Sequence, residues 1–208
     1  MVLESKPKPP TVDFRINETT TMEAGMPADY SFKKLTEPKA MGVEAARSIR
    51  TGSVPERGVA KKKLLTRSIW LNNNKLKSIK NLEQIVDSIL EVPSQLSWID
   101  FSFNYIKDID DCILNYPHLK ILYFHGNCIS KLTELMKLRK LKNLKTVTFH
   151  GNPISNIPMY RVSIMHILPQ ILNLDFFPII KNEKLTPPPT ETLKIIRDYE
   201  AKEKAAAK

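Results

Sequence analysis

Four short stretches of the sequence decide the fold: IWLNNNKL at residues 69–76, IDFSFNYI at 99–106, LYFHGNCI at 122–129 and VTFHGNPI at 147–154. Each begins with apolar residues at alternating positions, which predicts a short β-strand with one buried face. An asparagine and a further apolar residue then follow. These asparagines are 30, 23 and 25 residues apart, so the chain is a repeat array.

The asparagine of each repeat requires a physical reason of its own. The backbone leaves each strand at this point with unpaired donors and acceptors, and a buried amide can bond several of them in adjacent coils. The sequence therefore predicts a structural ladder of four side chains: Asn74, Asn104, Asn127 and Asn152.

The segments between the strands predict helical returns. Leu82, Ile85, Val86 and Ile89 have helical spacing after a candidate N-cap, Asn81, and apolar residues recur every third position from Leu132 to Leu141. Because the spacing of the repeat asparagines is typical of leucine-rich repeats, we expect an α/β leucine-rich-repeat solenoid. This is a short curved horseshoe with parallel strands on the concave face, helical or 3₁₀ returns on the convex face, a C-terminal cap and extended tails.

The chain divides into three predicted parts. Residues 1–60 contain several prolines and only short apolar islands, so they form an extended or disordered arm that orders by lying along a partner or along the solenoid. Residues 61–180 form the repeat domain with its cap. Residues 181–208 form a proline-rich linker and a C-terminal helix or tail beginning near Thr190.

Composition narrows the function classes. The chain has 208 residues, 42% of them hydrophobic, but its apolar runs are too short to span a bilayer. Residues 1–7 also lack the pattern of a secretory signal, so we expect a cytoplasmic protein without a membrane partner. With six glycines and no recognisable catalytic motif, we expect no enzyme activity and no cofactor. His125 and His150 occupy the same repeat position but lack a third ligand, so we expect no metal site.

Two surfaces are candidates for binding. The outward positions of the predicted strands form a concave patch that includes the aromatic chemistry enriched in protein interfaces. Its residues are Trp70, Asn72, Trp98, Asp100, Ile121, Tyr123, His125, Thr148 and His150. The alternative is that the flanking tails cover these rings.

The net charge of +10 indicates an acidic partner. A basic patch on the predicted convex face would contact it, and the alternative is a merely solvated face. The patch comprises Lys131, Lys137, Arg139, Lys140, Lys142 and Lys145.

The HGNPI string, Tyr160-Arg161 and LPQILNLD at residues 168–175 resemble the SDS22-like leucine-rich repeats and their C-terminal cap. That family includes a phosphatase-1 regulator, the spliceosomal A-prime protein and several axonemal proteins. A closer resemblance, carried by DYSF at 29–32, SIWLNNN at 68–74 and WIDFSFN at 98–104, is to a small repeat protein of ciliated cells and flagella.

This resemblance implies a non-catalytic interaction scaffold of the cilium or flagellum, located on the axoneme. Its partners would be axonemal proteins, with tubulin as a candidate for the basic patch because tubulin surfaces are acidic. The alternative is a soluble regulatory adaptor of a protein phosphatase. A nucleic-acid partner has only the positive charge in its favour, because Trp70 and Trp98 lie near Asp100 rather than in a basic strip.

Overall fold

The computed structural model describes residues 24–38, 45–59 and 62–206. Its seven strands form one sheet in sequence order: β1 (Ala28–Asp29), β2 (Ser68–Trp70), β3 (Trp98–Asp100), β4 (Ile121–Tyr123), β5 (Thr146–Thr148), β6 (Asn173–Leu174) and β7 (Phe177–Pro178). The first six are parallel and β7 is antiparallel to β6. The predicted leucine-rich-repeat solenoid is confirmed.

The strand register aligns equivalent repeat positions across the sheet. One residue of each parallel strand points into the core, and this row is fully buried: Ala28, Ile69, Ile99, Leu122, Val147 and Leu174. Behind it, the ring of Phe124 stacks on Phe101 at 5.2 Å and on Phe149 at 6.1 Å between centroids. The core is therefore one continuous column that runs through all the repeats.

The convex returns are short helices. They are α1 (Leu82–Ile89), α2 (Leu132–Leu135) and 3₁₀ segments at Pro93–Gln95, Asp111–Asn115, Met136–Lys140 and Pro153–Asn156. The predicted N-cap role of Asn81 is wrong, because this residue has a left-handed backbone and its side chain makes no capping hydrogen bond. Helix α1 ends at Ile89 with Leu90 as its C-cap, and Pro93 starts a separate 3₁₀ segment three residues after that cap.

Part of the N-terminal arm belongs to the sheet. Strand β1 pairs with β2, and the Tyr30 and Phe32 amides donate to the carbonyls of Trp70 and Asn72. Ala28 and Tyr30 are buried in the common core. The described residues of this arm therefore lie along the solenoid, while residues 1–23 and 39–44 lie outside the described structure.

The C-terminal cap contains α3 (Tyr160–Ile167), β6, β7 and a 3₁₀ segment, Lys181–Leu185. Arg161 of α3 fastens these parts by bonding Glu183 at 2.6 and 3.1 Å and the Pro178 carbonyl at 2.9 Å. The final helix, α4 (Thr190–Ala206), packs against α2 and α3, with Thr192 buried and donating to Ser163. It covers the otherwise open convex side of the last repeats.

Candidate protein-binding surface

An asparagine ladder holds the strand ends at fixed spacing. Each Asn Nδ2 donates to a carbonyl of the preceding coil: Asn74 to Tyr30, Asn104 to Leu71, Asn127 to Phe101 and Asn152 to Phe124, at 2.8–3.0 Å. The side-chain oxygens accept backbone amides of the same preceding coils, as when Ile106 donates to Asn127 at 3.0 Å. Because every rung joins two coils, the concave face is a rigid platform.

Aromatic rings form a line across that platform. The register places Asp29, Trp70, Asp100, Tyr123 and Thr148 in one row, with Trp98 and Ile121 in the row beside it. Trp98 makes edge contacts with Trp70 at 5.5 Å and with Tyr123 at 5.9 Å between centroids. The structure thus brings the predicted aromatic residues together.

Burial separates the predicted concave residues into two groups. Trp70, Trp98, Tyr123, His125 and His150 are partly exposed. The remaining four are buried and cannot offer much side-chain area to a partner: Asn72, Asp100, Ile121 and Thr148. Neighbouring coils and the N-terminal arm approach closely enough to exclude them from solvent, so the accessible patch is smaller than the sequence predicts.

Two phenylalanines that sequence reasoning missed enlarge the patch at its edge. The Phe103 ring lies 5.0 Å from the His125 ring, and the Phe176 ring lies within 5.6 Å of the rings of Tyr123, His125 and His150. Phe103 is 54% and Phe176 45% exposed. We call the five side chains Phe103, Tyr123, His125, His150 and Phe176 the aromatic patch.

Phe103 occupies a strained backbone position. It precedes the ladder asparagine with φ 52°, where the third and fourth repeats have Gly126 and Gly151. A left-handed backbone costs a bulky residue roughly 1–2 kcal/mol. A side chain on Gly126 would meet the Phe103 ring at 2.7 Å, so that glycine makes room for the phenylalanine. The fold thus tolerates strain to hold an aromatic ring in solvent.

The two histidines stack on one another with ring centroids 4.7 Å apart. Burial, and secondarily the neighbouring His150, lower the pKa of His125 to about 4, so His125 is neutral near pH 7. Its Nδ1 lies 2.9 Å from the Thr148 hydroxyl. His150 Nδ1 lies 3.2 Å from Asp175 Oδ1, which also accepts the His150 amide.

Asp175, the last residue of the LPQILNLD motif, joins the cap to the last repeat. Its carboxylate accepts the Phe149 amide at 2.7 Å and the Tyr160 hydroxyl at 2.9 Å. Asp175 thus satisfies the backbone at the end of β5, next to the last repeat. Burial, followed by the charge of Asp175, raises the pKa of the Tyr160 phenol. The cap thereby holds Phe176, which follows Asp175 directly, against the other rings of the aromatic patch.

The predicted basic patch is partly neutralised within the chain. Lys137 pairs with Glu134 at 3.3 Å and donates to the Ile109 carbonyl. Glu200 and Glu203 of α4 reach back to Arg139 and Lys140 at 3.3 and 3.0 Å. Lys145 contacts the backbone carbonyls of Lys142 and Gln170.

Lys131 and Lys142 have exposed side chains for which the described structure shows no ion pair. The remaining basic surface is consequently small. A cavity of about 570 Å³ beside Lys131 is lined by Ile157, Met159 and Ile195, between the convex returns and α4.

Within the described ranges, no cluster of three or more His, Cys, Asp or Glu side chains could hold a metal ion. No helix among these residues is both long and apolar enough to cross a membrane.

Comparisons with known proteins identify the family. Over 160 residues the chain is 39% identical to mouse leucine-rich repeat-containing protein 51, covering 77% of this chain and 82% of the relative. The human protein is 37% identical over the same shares. The chain belongs to the leucine-rich repeat-containing protein 51 family. The resemblance carried by residues 29–32, 68–74 and 98–104 is confirmed.

A leucine-rich-repeat family model also matches residues 91–188. Among solved structures, the Drosophila melanogaster SNF/U2A′ complex contains a chain with a TM-score of 0.52 and 21% identity, covering 70% of this chain and 82% of that one. This likeness supports the fold alone. Leucine-rich repeats of this kind are suited to binding other proteins, generally as non-catalytic scaffolds.

Proposed function

We propose that this member of the leucine-rich repeat-containing protein 51 family is a non-catalytic protein–protein interaction scaffold of the cilium or flagellum, held on the axoneme. The aromatic patch carries this proposal. Its exposed or partly exposed rings come from one strand, from the segments that follow three strands and from the cap. Exposed aromatic rings on a ladder-stiffened sheet are typical of interface hot spots.

The strain at Phe103 supports a binding role for the patch. A glycine at this position would remove the backbone strain, as glycine does in the two following repeats. The second repeat instead has a phenylalanine here, and its ring is exposed. Fold stability alone does not favour that choice. Binding of a partner that buries the ring offsets the cost, because burying a large aromatic side chain stabilises by roughly 1.5–3 kcal/mol.

Contact with the acidic tubulin surface is a secondary part of the proposal. Lys131 and Lys142 supply the available charge, because Lys137, Arg139 and Lys140 already have acidic neighbours in this chain. We therefore assign the main binding surface to the concave face and a weak, salt-sensitive contact to the convex face.

The test is detergent extraction of ciliated cells expressing a tagged copy. We expect the wild-type chain to remain on the axoneme through detergent and moderate salt, and a Phe103→Ser, Phe176→Ser double variant to be released. A Phe177→Ser variant is the matched control, because Phe177 is 68% exposed and has no ring contact in the described structure. Full extraction of the wild type, with phosphatase activity in its pull-down, would instead favour a phosphatase adaptor.

A further inference from the structure

The first half of the concave face combines carboxylates with aromatic rings. Asp29 and Asp100 stand in one register row on either side of Trp70. Strands in a sheet lie about 4.8 Å apart, so the Cα atoms of the two aspartates are roughly 10 Å apart, one on each side of Trp70. We call Asp29, Trp70, Trp98 and Asp100 the aromatic–carboxylate site. The partly exposed rings offer a π-face to a guanidinium group, and the buried carboxylates attract that group through their charge rather than by direct contact.

An arginine of this chain already lies on that site. The Arg50 guanidinium carbon is 4.8 Å from the centroid of the Trp70 ring, and its Nη1 donates to the Ser31 hydroxyl at 3.3 Å. Its charge also acts on Asp100, opposing the rise in the pKa of that carboxyl caused by burial. Arg50, a residue of the same chain, therefore shows that the site accepts a guanidinium group.

Arg50 lies at the exposed end of a segment that is attached to the sheet through Arg47 and Ala46. One backbone bridge joins Arg47 to Asp29, with a 2.7 Å hydrogen bond, and the Arg47 guanidinium donates to the Ser31 carbonyl at 3.3 Å. Ala46 packs on the core, whereas Arg50 is exposed. The Arg50 side chain can therefore leave the Trp70 ring while Ala46 and Arg47 stay in place.

The polar groups of the site are incompletely satisfied. The indole Nε1 atoms of Trp70 and Trp98 and the side-chain oxygen Oδ1 of Asn72 are buried without a hydrogen-bond partner in the described structure. Buried hydrogen-bond donors are normally paired, and each unpaired one destabilises the partner-free conformation. Carbonyl groups of an extended peptide could accept from both indoles, which residues 45–50 do not do.

We propose that the aromatic–carboxylate site binds an arginine side chain of an extended partner segment, and that Arg50 occupies the site until the partner displaces it. This inference rests on the proposed function, because it assigns the partner chemistry for the same concave face. An acidic segment is disfavoured there by Asp29 and Asp100. The concave face thus selects a basic partner although the chain as a whole is basic.

Intrinsic fluorescence tests this directly, since the two tryptophans of the chain are Trp70 and Trp98. The full chain and its Arg50→Gln variant are titrated at pH 8 with an acetylated, amidated Gly-Ser-Arg-Ser-Gly peptide. The same peptide with citrulline is the neutral comparison. We expect Arg50→Gln to bind the arginine peptide at least about tenfold more tightly than wild type, because the competing group in cis is gone. The citrulline peptide should give no saturable change.

Two further variants keep the test sharp. Asp100→Asn added to Arg50→Gln should abolish the saturable change while retaining an acceptor for the Ser102 amide, which donates to Asp100 at 2.8 Å. Arg197→Gln, the same substitution on the exposed side of α4, should behave as wild type. Equal affinities of wild type and Arg50→Gln, or equal binding of both peptides, would overturn the inference. Axonemal retention is measured separately, so either proposal can fail alone.

Discussion

Removal of one rung of the asparagine ladder should be among the most destabilising single substitutions in the repeats. Asn127 donates to the carbonyls of Phe101 and Phe124 at 2.9 Å and accepts the Ile106 amide at 3.0 Å. Asn127→Ala leaves the buried Ile106 amide without its acceptor, whereas the Phe101 and Phe124 carbonyls each keep one donor, from Asn104 and Asn152. With roughly 1–3 kcal/mol for the unpaired amide and about 0.5 kcal/mol for each weakened carbonyl, the expected loss is about 3 kcal/mol, a large share of a typical unfolding free energy of about 5–15 kcal/mol.

Asn143→Ala is the matched control, because it makes the same chemical change where the amide is exposed and bonds one carbonyl, that of Pro117. We expect it to cost about 0.5 kcal/mol or less. Urea unfolding followed by circular dichroism gives both values, with an unchanged slope showing that the folded state keeps its compactness. The Ile106 amide should also exchange faster in Asn127→Ala. Equal midpoints for the two variants would refute the assignment of the ladder as the main link between coils.

Three further predictions concern the cap, the histidine pair and a partly buried thiol. Arg161→Ala should lower the unfolding free energy by about 2 kcal/mol, since charge-assisted bonds to Glu183 and the Pro178 carbonyl are lost; a urea midpoint equal to wild type would contradict this. Because the pKa of His125 is about 4 in the fold and about 6.5 when unfolded, the unfolded chain takes up the proton first and stability falls between pH 6.5 and 4. After discounting for partial exposure we expect a loss of about 1–2 kcal/mol, which His125→Gln should largely remove in paired urea titrations. Partial burial raises the pKa of the Cys112 thiol to about 12, so iodoacetamide at pH 8 should label it far more slowly in the folded chain than in the urea-unfolded chain, as followed by peptide mass spectrometry.

The repeats were predictable because their signals are local. Alternation fixes the buried face of each strand, and the asparagine marks where the strand ends. Strand β1 was missed as a repeat unit, yet a signal exists: Asp29-Tyr30-Ser31-Phe32 matches Asp100-Phe101-Ser102-Phe103 residue for residue in character. In both segments the aspartate side chain accepts the serine amide, and the phenylalanine has a left-handed backbone conformation.

Features that depend on contacts between distant segments were not predictable. The pattern places Asp100 and Thr148 on the outward face of their strands, but it does not show that neighbouring coils bury them. The sequence predicts a basic patch of unpaired charges. In the structure Glu200 and Glu203 pair with two of its residues, because α4 folds back across the convex side. Phe176 likewise reaches the patch only through the turn of the cap.

The two ends of the sheet limit the size of any partner. Strand β1 has only two residues and β7 runs antiparallel, so neither end offers a full parallel edge for another coil. Six parallel strands at about 4.8 Å spacing give a footprint of about 24 Å from β1 to β6. An extended segment lying along it would meet the protein over about 7 residues, given a rise of about 3.4 Å per residue. The length of a recognition motif in the partner is thereby bounded by how this sheet begins and ends.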